Sequence, residues 1–102
     1  SMSSIEKVVC EFCGVKPVEL KSGSRHKRIC TARMLAMYLA RKYTPNAYSE
    51  IGDYFGRSHS TVIAAHKKVS SWVVDNQPLD LPHARYPARD AVVQIESSLR
   101  IG

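Results

Sequence analysis

Tyr48–Val69, YSEIGDYFGRSHSTVIAAHKKV, decides the reading of this chain. Tyr48, Ile51, Tyr54 and Phe55 recur at the spacing of one short helix, and Gly56 follows as a stop that tolerates positive φ. Ser58 is a good N-cap for a second helix, His59–Val73, whose apolar positions Val62, Ile63, Ala65, Val69 and Val73 again follow the helical period. Two short helices across a tight glycine turn form a helix-turn-helix pattern. The second helix opens on His59, Ser60 and Thr61, compact polar side chains that can approach a base edge or a thymine methyl in a major groove. An ordinary helical hairpin, with Ser58 and Thr61 merely capping, is the bland alternative, because this pattern is degenerate.

Working outward, Thr44-Pro45-Asn46-Ala47 is a turn, and Pro45 disfavours helix at Thr44. Before it, Lys27–Tyr43 is the longest helical signal. It lacks Gly and Pro and carries the stripe Ile29, Ala32, Leu35, Ala36, Leu39, Ala40, Tyr43, with Arg33 and Arg41 standing off it. Ser4–Cys13 is expected to be the first helix, capped by Ser4 and stopped at Gly14, with residues 1–3 an unstructured start. Ser1-Met2 reads as a serine left ahead of a start methionine, which marks an expressed fragment. Between these helices, Gly14–Arg25 is a connector with one helical turn at Val18-Glu19-Leu20. Asp75–Pro87 has three prolines and no period and is expected to be irregular, and Ala88–Ile101 is a last helix with the face Val92, Ile95, Leu99. The expectation is an all-α fold in one domain spanning 4–102, with the helix-turn-helix at about 48–73 and an extension at 74–102.

The chain has 102 residues and a net charge of +6, which suits a polyanionic partner. The excess is local: Lys16, Lys21, Arg25, Lys27, Arg28, Arg33, Arg41 and Lys42 face the single anion Glu19 between positions 16 and 42. The cations around Arg25–Arg28 crowd the start of the long helix, where they oppose its dipole at a cost of a few tenths of a kcal/mol each. Such a breach of a local rule points to a ligand that supplies negative charge. No apolar run reaches the ~20 residues of a membrane span, no signal peptide is visible, and three cysteines suit a reducing compartment, so a cytoplasmic site is expected.

The segments ARMLAMYLARKYT and EIGDYFGRSHSTVIAAHKKV together resemble the C-terminal DNA-binding domain of the bacterial replication initiator DnaA, over about Ile5–Val73. The resemblance implies a DnaA C-terminal, Trp-repressor-like helical fold. It also implies sequence-specific binding to duplex DNA at TTATCCACA-type boxes, in the service of replication initiation. By matching positions it implies base contacts from His59, Ser60, Thr61 and Ser58 in the major groove and from Arg25 in the minor groove. Backbone contacts are expected from Lys27, Arg28, Arg33, Arg41, Thr44, Arg57 and Lys67. Minor-groove Arg also fits the strong negative potential of a narrow A·T-rich groove. The sequence departs from the family at four places. Gly56-Arg57-Ser58-His59 has one glycine fewer and Ser for a common Asp, Ala64 stands for a histidine, Met34 for a glutamine, and Ser49 for a proline.

No catalytic constellation stands out, and no phosphate-binding glycine loop followed by Lys-Ser or Lys-Thr is present. The reading is therefore a non-enzymatic domain without a cofactor of its own, and the asymmetric box that the resemblance implies needs no two-fold, so a monomer is expected. ATP and the other partner domains would belong to a preceding part of a parent initiator. Cys10-x2-Cys13 with His26 and Cys30 is a competing zinc constellation, set aside because lone C-x2-C pairs arise by chance. Glu50 is expected to balance a nearby cation. The functional alternative is a helical protein-interaction module with only non-specific DNA affinity.

Overall fold

The computed structural model describes residues 1–81 and 84–99. Helix α1 spans Met2–Cys13, α2 Pro17–Leu20, α3 Lys27–Tyr43, α4 Tyr48–Phe55, α5 His59–Asp75 and α6 Ala88–Leu99. Strands β1, Pro78–Asp80, and β2, Arg85–Pro87, form an antiparallel pair with Leu79 opposite Tyr86. The fold is a small all-α domain carrying one two-stranded hairpin.

Helix α3 is the centre, touching α1, α2, α4, α5 and β1. This explains why it buries more than one stripe: Ala32, Leu35, Ala36, Met37, Leu39 and Ala40 are all inside. Ala32, Ala36 and Ala40 stand four apart, and small side chains at that spacing let a neighbouring helix approach closely. Around them pack Ile5, Val9 and Cys13 of α1, Leu20 of α2, Ile51 and Phe55 of α4, Val62 and Val69 of α5, and Ile95 of α6. Each large aliphatic or aromatic side chain removed from water contributes ~1.5–3 kcal/mol.

One buried polar group links α1 to α4. Glu6, 8% exposed, accepts from the Tyr54 hydroxyl at 2.9 Å. Lys21 Nζ lies 3.4 Å from its other oxygen and 4.1 Å from the Tyr54 ring centroid. The carboxylate is thus compensated by one hydrogen bond and one cation, as a buried charge requires.

Four expectations are corrected. Helix α1 begins at Met2, because Ser1 already caps it through the Ser4 N–H, so residues 1–3 are not an unstructured start. Helix α5 continues to Asp75 and stops at Asn76, which takes the left-handed conformation at φ 51°. The connector expected over Asp75–Pro87 holds the hairpin, and its buried Leu79 and Leu81 flank an outward Asp80. Glu50 Oε1 accepts from the Ala47 N–H at 2.7 Å and so caps α4 rather than balancing a cation. His83 and the expected end of the last helix at 100–101 lie outside the described residues.

The extension is tied to the core at two points. Arg89 donates to the Val73 and Val74 carbonyls at 2.9 and 2.8 Å, closing the open end of α5. Glu96 of α6 pairs with Lys42 at 2.7 Å and accepts from the Tyr43 hydroxyl, both at the end of α3.

Candidate nucleic-acid interface

The turn between α4 and α5 is set by two glycines. Gly56, at φ 68° and ψ 37°, ends α4 in the left-handed region, which a side chain rarely adopts. Gly52, inside α4, allows the returning chain to lie on the helix. A Cβ there would sit 2.4 Å from the Arg57 carbonyl oxygen, and the Arg57 N–H donates to the Gly52 carbonyl at 2.8 Å. This contact fixes the angle at which α5 leaves α4.

Ser58 caps α5. Its hydroxyl accepts from the Thr61 N–H at 3.3 Å and is hydrogen-bonded to the Thr61 hydroxyl at 3.0 Å. His59, Ser60, Thr61 and Ala64 are exposed, while Val62, Ala65 and Val69 hold the opposite face of the helix in the core. The residues expected to read bases therefore share one free helical end. Ser58 is at that end too, but its hydroxyl is committed to the cap.

The loop before α3 carries Arg25, exposed, on an ordered backbone. Ser22 donates to the Glu19 carbonyl at 2.6 Å and accepts from the Ser24 N–H, and Ser24 in turn accepts from the His26 N–H. Two guanidinium groups reinforce this chain of turns. Arg33 donates from Nε to the Leu20 carbonyl at 2.7 Å, and from a terminal nitrogen to the Ser22 and Ser24 carbonyls at 3.0 and 3.3 Å. Arg57 reaches the same Ser22 carbonyl at 2.5 Å.

This placement corrects the expectation for Arg33. At 6% exposure, its fork is turned onto loop carbonyls and not out toward solvent, where a phosphate grip would need it. Burial, and then the charge of Arg57 nearby, push its pKa below the ordinary arginine value. The sequence held a cue: Arg33 is four residues after Ile29 and four before Met37, on the edge of the apolar stripe. Arg57 is half-buried and shares the task. Thr44 is likewise turned inward, its hydroxyl donating to the Ala40 carbonyl at 2.6 Å and accepting from the Asn46 N–H.

The remaining expected contacts are on the surface. Lys27, Arg28 and Lys67 are exposed, and Lys27 lies 3.4 Å from Asp80. Arg41 is exposed, stacks 4.8 Å from the Tyr48 ring centroid and donates to the Asn46 carbonyl. A cleft of about 290 Å³ runs beside α5, lined by Met34 and Met37 on one side and Thr61, Ala64 and Lys68 on the other.

The cysteines take up different places. Cys10 and Cys13 are buried in the core, where desolvation pushes their thiols up to about 11 and about 12. Cys30 donates to the Ser24 carbonyl at 3.7 Å and takes part in the loop. Among the described residues no three His, Cys, Asp or Glu side chains are grouped to hold a metal ion. Nor is any described helix long and apolar enough to cross a membrane.

The model of the bacterial dnaA protein helix-turn-helix family matches residues 2–69. The chain belongs to the DnaA helix-turn-helix family. It is 37% identical over 75 residues to the chromosomal replication initiator protein DnaA of Caldanaerobacter subterraneus, a match covering 74% of this chain and 17% of the relative. To the DnaA of Thermodesulfovibrio yellowstonii it is 48% identical over 66 residues, covering 64% of this chain and 15% of that protein. The chain thus spans about a sixth of the curated relatives it matches. The DnaA match runs from α1 into α5, so it contains the glycine turn, the capped helix and the Arg25 loop. The hairpin and α6 lie beyond it.

Proposed function

We propose that this chain is the DNA-binding domain of a replication initiator and reads a DnaA-box-like site in duplex DNA, as a monomer. In this reading α5 enters the major groove with His59, Ser60 and Thr61 against base edges, and Arg25 enters the adjacent minor groove. Lys27, Arg28, Arg41 and Lys67 neutralise phosphates. Arg33 and Arg57 hold the Arg25 loop, and Thr44 orders the turn beside Arg41. ATP chemistry and the other domains belong to a parent initiator, acting in the cytoplasm of a bacterium. The observation that carries the reading is the shared Ser22 carbonyl, which locks the Arg25 loop to the turn that presents His59. An arrangement of that kind suits simultaneous use of neighbouring grooves.

Titration of labelled duplexes, box against scrambled, at two salt concentrations tests it. Expected are a clear preference for the box and a steep fall in affinity with salt. Equal affinity for both duplexes would leave only non-specific binding.

A further inference from the structure

The hairpin lies outside the segment matched by the family, yet it stands beside the start of α3. A cleft of about 270 Å³ is lined there by Lys27 of α3, Lys68 and Trp72 of α5, and Asp80 and Arg85 of the hairpin. Three cations from three separate elements thus line one cleft with a single carboxylate. Asp80 takes Arg85 Nε at 2.9 Å and Lys27 Nζ at 3.4 Å. The Lys27 and Arg85 side chains remain 79% and 68% exposed. Among the described residues Arg85 commits only its Nε, so its terminal nitrogens are open to another acceptor.

The position of this cleft says what that acceptor is. Lys68 lines both this cleft and the one beside Thr61 and Ala64. A track of cations therefore runs from the base-reading end of α5, past Lys68, to Arg85 and to Lys27, which is two residues of chain from Arg25. A row of exposed cations continuous with the base-reading face fits a repeating polyanion, and Asp80 occupies the place of one anion in it.

We propose that the β1–β2 hairpin is an additional duplex contact, in which Arg85, with Lys27 and Lys68, grips the phosphate backbone flanking the box. This rests on the docking proposed above. The hairpin extends the contacted DNA beyond what the helix-turn-helix and the Arg25 loop reach. Asp80 pre-aligns Lys27 and Arg85 in the free protein and is repelled by the phosphates in the complex.

The test uses the whole chain as wild type, Arg85→Ala and Asp80→Asn. Two duplexes are compared: one ending at the box and one with about one turn (~10 bp) of flank on each side. On the long duplex Arg85→Ala should bind several-fold more weakly, with a salt slope lower by about one. On the short duplex it should match wild type. Asp80→Asn should bind the long duplex several-fold more tightly, whereas loss of a purely structural strut would weaken it. Arg85→Ala that binds the long duplex like wild type, or loses as much on the short one, would overturn the proposal. A long scrambled duplex is measured alongside. If wild type fails to prefer the box, the box reading falls, while a lower Arg85→Ala slope on that scrambled duplex still supports the hairpin contact.

Discussion

Replacing Arg33 by Met separates a positioning role from a phosphate contact. Methionine keeps most of the stem volume and removes the guanidinium. The loss is three hydrogen bonds of 2.7, 3.0 and 3.3 Å to the Leu20, Ser22 and Ser24 carbonyls, with two longer ones to the Glu19 carbonyl at 3.5 Å and the Cys30 sulfur at 3.8 Å. Charge-assisted bonds contribute ~1.5–3 kcal/mol each. The Ser22 carbonyl keeps Arg57, and the loop carbonyls can turn to water, so the net loss should be ~2–3 kcal/mol. At ~4–8 °C per kcal/mol in a domain of this size, the melting temperature should fall by roughly 10–20 °C. Box affinity, measured well below that temperature, should fall at least ~10-fold, because Arg25 must then be ordered on binding. The salt slope should stay the same, since no phosphate partner is lost. A variant of unchanged stability whose slope falls by about one would refute this reasoning and make Arg33 a direct phosphate grip.

Four other outcomes follow from the geometry. Gly52→Ala must move the Arg57 carbonyl from 2.4 Å to at least 3.0 Å from the new Cβ, an overpacking cost of ~1–3 kcal/mol against a ~1 kcal/mol gain in helix propensity. Urea unfolding and box titration should both show loss, and a variant normal in both would contradict the close approach. His59→Ala should cost ~1–3 kcal/mol of box affinity and relax base preference, read by competition with single-base variants of the box. Arg41→Ala should weaken box and scrambled duplexes alike and lower the salt slope by about one; a selective loss on the box would count against a phosphate role. The Glu96 cluster should make stability pH-dependent. Partial burial raises the Glu96 pKa, but the bonds from Lys42 and Tyr43 outweigh it and hold the carboxyl below its ordinary 4.5. Its contribution is therefore full above that value and is lost as pH falls through the folded one. The Lys42 pKa is raised by its bond to Glu96, so that contribution fades only as pH climbs past 10.5. Urea midpoints of Glu96→Gln should show a smaller acid-side decline, and a decline equal to that of the wild type would remove Glu96 as a source.

Much of the architecture was legible because it rests on local rules. The α3 and α4 boundaries match the reading, since a Gly- and Pro-free stripe, Pro45 and Gly56 mark them in sequence. The Ser58 cap was equally plain. What escaped depends on contacts distant in the chain. The spacing of Arg33 from Ile29 and Met37 put it at the edge of the stripe, but its partners, the Leu20–Ser24 carbonyls brought in by the α2 turn, could not be read from it. The hairpin has strands of three residues with a proline in each, too short for a period of two to show. Its order comes from Leu79 and Leu81 entering the core and from Tyr86 stacking 5.1 Å from Phe12 of α1. Arg25, His59, Ser60 and Thr61 are exposed, and their exposure followed from standing off the apolar stripes that pack the helices.

The oxygen of Ser22 has a further consequence. It receives a guanidinium from α3 and another from the turn before α5, so the Arg25 loop and the His59 end cannot drift apart. In coordination terms the two elements proposed to contact DNA would be the arms of a chelate with a fixed bite. Once one arm is seated, the other is held at high effective concentration over its own groove. The same rigidity makes the bite unforgiving. A base pair inserted between the minor-groove and major-groove halves of the box should abolish the gain from the second arm, where a flexible tether between the arms would absorb it.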